Sequence, residues 1–151
     1  MTSIIPAILF SEANKTITMA VSHKMIMKTF HMTTMLINKL MVNHKDNVSI
    51  KDTFNELDIE ATMKTGEALV EELSENILNR ESVKVSLRYL HRAITSLHEN
   101  LDKLHKELDE YSKRYFQMFR SPVIEPYLTN IKTDFQLLSQ RLKMLKKILQ
   151  T

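Results

Sequence analysis

The clearest periodicity in the chain runs from Val83 to Met118. Val83, Leu87, Leu90, Ile94, Leu97, Leu101, Leu104, Leu108, Tyr111, Tyr115 and Met118 alternate steps of four and three residues without a break. This is a heptad pattern, and it gathers the apolar side chains on one face of a helix. It predicts a helix over 82–120, with Ser82 as N-cap and Ser121-Pro122 as its stop. Such a helix is roughly 55 Å long. Leu128, Ile131, Phe135, Leu138, Leu142, Leu145 and Leu149 repeat the same steps. They predict a second heptad helix over 122–150, opened by Pro122 or Pro126. The short link between the two implies an antiparallel hairpin.

The first half of the chain carries looser patterns. Met19, Ile26, Phe30, Ile37 and Leu40 mark one face of a helix over 11–43, with Ser11 as N-cap. Asn43 to Asn55 reads as a polar connection. Ile59, Met63, Leu69, Leu73 and Ile77 point inward from a helix over 56–79, which Asp58 could cap. Gly66 sits in its middle, where glycine costs about 1 kcal/mol relative to alanine. Its missing side chain therefore implies a close helix contact. Residues 1–10 (MTSIIPAILF) read as an apolar strap on the core. Neither heptad helix is apolar all round, so the earlier helices must complete a bundle. The expectation is one all-α domain over 1–151, an elongated up-and-down bundle of about four helices dominated by the hairpin.

Composition narrows the function. The chain has 151 residues, a single glycine and no cysteine. One glycine excludes glycine-rich phosphate loops and dinucleotide turns. Without cysteine there is no thiol nucleophile, disulfide or zinc–thiolate site. The N-terminus lacks a basic n-region, and charged residues interrupt the apolar stretch from Ile17 to Val42. The sequence therefore predicts neither a signal peptide nor a membrane-spanning helix. It predicts a soluble intracellular protein, cytoplasmic, nuclear or held within an assembly.

Candidate chemistry is thin. His91, His98 and His105 recur every seven residues, each directly after a seam leucine, and fall at the e positions flanking the seam. Seven residues of helix separate them by roughly 10.5 Å, too far to share a metal with bonds of about 2 Å. Asp102 adds one close partner to His98 and His105, but Asp102-x-x-His105 stands alone where a helical di-iron site needs such elements in pairs. Six of the ten methionines lie between Met19 and Met41, with His23 and His31 among them. Thioethers and imidazoles suit copper(I), yet they suit a pliable core or binding face equally well. No metal, cofactor or small-molecule substrate is predicted. No nucleophile elbow, kinase set or P-loop is present, and a non-enzymatic protein is expected.

Charge and aromatic residues mark candidate contacts. Lys51 to Arg80 holds eight acidic residues against three basic ones, whereas Arg141, Lys143, Lys146 and Lys147 form a basic end without an acid. Tyr111, Tyr115, Phe116 and Phe119 cluster with Arg114 and Arg120, a composition enriched at interface hot spots. These features point to a scaffold or assembly protein that works through protein–protein contacts along its heptad seams, self-associating or within a larger complex. The contact residues expected on this reading are His91, His98, His105, Tyr115, Phe116, Phe119 and Arg120. The alternative is a peripheral module for nucleic acid or anionic membrane, using Arg141, Lys143, Lys146 and Lys147.

Overall fold

The structure is a computed structural model. It describes residues 4–114 and 122–151, with side chains described at 23–113 and 122–151. Every element among these is a helix: α1 (Ile4–Asn43), α2 (Val48–Leu57), α3 (Ile59–Glu71), α4 (Glu75–Leu78), α5 (Glu81–Arg114) and α6 (Glu125–Leu149). None is long and apolar enough to cross a membrane. The all-α class follows as the sequence predicts.

The seam of α5 is buried at every described position from Val83 to Leu108. Leu128, Ile131, Phe135, Leu138, Leu142 and Leu145 of α6 are buried with it. The two helices run antiparallel. Asn100 donates to Asp134, Tyr127 donates to Glu107, and the Arg80 guanidinium reaches the Ile148 carbonyl at 3.2 Å, so rising numbers on one helix meet falling numbers on the other. α1 packs on α5 and on α3, while α2 and α3 pack on α6. His23 and His31 of α1 meet Val70 and Glu67 of α3, which makes that pair antiparallel. Thr33 meets His98, and Met25 faces His91, so α1 and α5 run in the same direction. The long elements α1, α3, α5 and α6 thus run up, down, up, down. Side chains from α1, α2, α3, α5 and α6 meet in one apolar core.

The first half departs from its pattern in several places. α1 begins at Ile4 rather than at residue 11. Residues 4–10 are therefore helix instead of a strap, and Ser11 lies inside the helix. Proline is tolerated in a first turn because the N–H it lacks has no intrahelical acceptor there, and Pro6 is the third helical residue. The stretch expected to be a polar connection contains α2. Its N-cap is Asn47, whose Oδ1 accepts from the Ile50 amide at 3.1 Å. Ile50 and Phe54, four residues apart, bury its inner face. Asp58 then interrupts the predicted 56–79 helix with φ of 52°. Aspartate is one of the few non-glycine residues that adopts this left-handed conformation readily. It caps nothing with its side chain. A second break precedes α4, where Ser74 accepts from the Ile77 amide. Ile59, Met63 and Leu73 are buried as expected, but Val70 takes the inward place expected of Leu69. Ser82 lies inside α5, which starts one residue earlier, and Pro126 occupies the first turn of α6.

Gly66 behaves as its position implies. A Cβ built there would lie 2.9 Å from a Leu142 methyl and 3.1 Å from the Phe30 ring. The glycine lets α3 approach both α6 and α1 closely enough to seal the core.

Candidate functional site

The histidine row is placed by α1. The e flank of α5 faces that helix, and the opposite flank faces α6. His98 Nδ1 lies 3.2 Å from the Thr33 hydroxyl, which is fully buried and donates its one proton to the Thr29 carbonyl at 2.6 Å. The imidazole must then donate from Nδ1, which fixes its tautomer. His91 and His98 also line a groove of about 350 Å³ with Met25, Thr29 and Met32. His105 is half-buried, and its Nδ1 has no hydrogen-bond partner among the described residues. His23 and His31 bind α1 to α3, at 2.8 Å from the Val70 carbonyl and 3.6 Å from Glu67. Among the described residues, no three histidine, aspartate or glutamate side chains converge on a metal-sized space.

His44, just after α1 and beside His105, is placed to respond to pH. Burial holds the His44 imidazole below its ordinary value of 6.5, and the neighbouring His105 adds to the effect. The unfolded chain therefore takes up this proton at a higher pH than the folded one. The contribution of His44 to stability is present above about pH 6.5 and is lost as the pH falls below it. Lys45 and Lys51 line a cavity with His44, and Asp102 and Asp109 interact with His105 from α5, with Lys39 also acting on Asp109. Asp102 and Asp109 are held low by hydrogen bonds from Lys106 and Lys113, so they act in a separate window, below about pH 4. The melting temperature should drop between about pH 7 and pH 5, and His44→Gln should flatten that limb. An unchanged limb in the variant would remove His44 as its source.

The basic residues of α6 do not share one surface. Arg141 lies over the Tyr89 ring of α5, 5.2 Å from its centroid. Lys143 and Lys146 point the other way, into a groove of about 270 Å³ beside Thr62, Thr65 and Gly66 of α3. Lys147 is exposed. At the far end of α5, Tyr111 is half-buried. Tyr115, Phe116, Phe119 and Arg120 lie outside the described residues, as does the side chain of Arg114.

A further surface lies where the seam pattern gives no hint of it. On the side of the α5–α6 pair away from α1, Val85, Tyr89, Leu137 and Met144 are each 38% to 47% exposed. Val85, Tyr89 and Met144 line an open groove of about 460 Å³ with Ser82, Ser86, Arg141 and Ile148. The Arg92 guanidinium lies 5.4 Å from the Tyr89 centroid, so the ring carries two cations. Ser86 is only 4% exposed, and its hydroxyl has no partner among the described residues. The signal for this surface in the sequence is a set of apolar residues off the heptad at helical spacing: 85 and 89 on one helix, 137 and 144 on the other. Among known proteins the chain matches no family model, no curated protein and no solved structure.

Proposed function

We propose that this chain is a non-enzymatic scaffold or assembly protein that acts through protein–protein contacts on its helix faces, by self-association or within a larger complex. The observation that carries this reading is the exposed apolar row of Val85, Tyr89, Leu137 and Met144 on the outside of a bundle whose heptad core is already filled. Scattered apolar side chains are ordinary on any surface, but a row along two adjacent helices forms a patch with the geometry of an interface. A second row, Met25, Met32 and Met35, is exposed along α1. Methionine is suited to contacts that must adapt to a partner's shape.

The alternative, a module for nucleic acid or anionic membrane, needs its cations on one face. The divergence of Arg141 from Lys143 and Lys146 weighs against it. Salt separates the two readings. Binding to polyanions falls steeply as salt rises, whereas apolar association persists. The mass of the native assembly, measured by sedimentation in low salt and in about 0.5 M salt, where the screening length is only a few ångströms, should be unchanged. It should also survive replacement of Lys143, Lys146 and Lys147 by glutamine. An assembly that dissolves under both treatments would make the chain an electrostatic binder. A monomer without partners in low salt would remove the scaffold reading.

A further inference from the structure

The outer groove between α5 and α6 has chemistry specific enough to name its occupant. The groove runs along α6 from Arg141 to Ile148, roughly 10 Å or two helical turns, and exposed Leu137 lies one turn beyond it. Ridges on two neighbouring helices leave a furrow that a third helix can fill. The charge around it is predominantly positive. Arg92 and Arg141 flank Tyr89, and Arg88 lies on the same face of α5, three residues after Val85 and four before Arg92. Glu81 is the one carboxylate among the groove's lining residues. Among the described residues no carboxylate pairs with Arg92 or Arg141. The Ser86 hydroxyl in the groove wall is buried without a hydrogen bond, an arrangement that is destabilising until a partner supplies one.

Two occupants are disfavoured, one by charge and one by the lack of an apolar face. A second copy docked face to face would set Arg92 and Arg141 against their own counterparts. The acidic α3 of another copy lacks the apolar stripe, because Ile59, Met63 and Val70 are already buried in its own core. We propose that the groove docks an amphipathic helix of a different protein. Its apolar stripe covers Val85, Tyr89, Leu137 and Met144, and its flanking glutamates or aspartates pair with Arg92 and Arg141. The proposal rests on the reading of the chain as an interaction protein, and it names the face and the partner's chemistry.

The test uses the full chain and three stapled helical peptides of about 18 residues, roughly 27 Å long. They share one leucine stripe and carry glutamate, glutamine or lysine beside it. The glutamate peptide should bind at least about tenfold more tightly than the lysine peptide. It should perturb the methyl resonances of Val85, Leu137 and Met144. Met144→Asp should abolish binding, and Arg92→Gln with Arg141→Gln should bring the three affinities together while leaving the helical circular dichroism spectrum intact. Equal affinities in the wild type would overturn the proposal, as would perturbation at Met25 and Met32 instead. It also fails if vesicles of phosphatidylcholine and phosphatidylserine bind the groove and the peptides do not. Sedimentation of the Met144→Asp variant separates the two levels. If the wild-type chain binds no peptide and its native assembly survives Met144→Asp, the groove fails and the scaffold stands. A wild-type monomer that binds no peptide sinks both.

Discussion

Leu101→Asp should leave the chain largely unfolded at room temperature. Leu101 has 0% exposure and sits midway along the α5 seam. A carboxylate there has no cation within the core, so it would have to ionise in an apolar medium or remain protonated without partners. Changes of this kind belong to the severe end of single substitutions, at about 4 kcal/mol or more. Natural domains have only about 5–15 kcal/mol of stability in total. Asp102→Ala is the control, one residue along and off the seam. It removes the 2.8 Å pair with Lys106, which is exposed to solvent. Exposed pairs contribute little, and the melting temperature should stay within about 2 °C of the wild type. Circular dichroism melts of the two variants check the register. Equal and mild effects would mean that the seam is not where the burial places it.

The seam was legible because two conditions coincide on α5 and α6. Their apolar residues keep a strict period, and the residues between them are mostly polar, so only one helical phase buries the set. Leu87 needs no tertiary knowledge to be placed inward, and Leu138 is the same on α6. α2 fails the first condition. It has fewer than three turns and buries only Ile50 and Phe54, too few positions to establish a period among the polar residues of 43–55. The interruption at Asp58 is hidden for a different reason: aspartate serves equally well as an N-cap and as a left-handed residue, and only the packing of Phe54 and Ile59 into one core decides between them. The start of α1 is obscured by Pro6, which reads as a barrier in sequence although it stands in a first turn.

The candidate site was less legible than the fold. The e positions of His91, His98 and His105 follow from the heptad alone, but the helix that covers them does not. That requires the register of α1 on α5, which sets Thr33 against His98. The outer groove needs the register of α6 as well. Tyr89 and Arg141 lie far apart in sequence, and nothing local links them until the antiparallel pair sets the guanidinium over the ring. An off-heptad residue such as Val85 or Met144 is ambiguous in sequence, since single apolar residues occur on every surface. Its meaning comes from the neighbours that the fold brings beside it.

Gly66→Val should destabilise the chain by about 3 kcal/mol, the upper part of the range for overpacking a filled core. Helix propensity cannot be the cause, because valine is no worse than glycine within a helix. The cause is space. Even a Cβ at this position meets the Leu142 methyls at 2.9 and 3.2 Å and the Phe30 ring at 3.1 Å, and valine adds two further carbons. Leu142 can turn its terminal methyls, but Phe30 is fully buried and has nowhere to move. Gly66→Ala should be milder than Gly66→Val, since the Leu142 methyls can yield and the propensity gained offsets part of the 3.1 Å contact with the Phe30 ring. The decisive measurement is a double-mutant cycle in urea. Leu142→Ala alone should cost about 2–3 kcal/mol, as truncation of a buried leucine does. Combined with Gly66→Val, it opens the space that valine needs, and the double variant should be at least about 1 kcal/mol more stable than the sum of the two losses. Strict additivity would mean that α3 and α6 do not meet at Gly66, and the close approach that seals this end of the core would have to be abandoned.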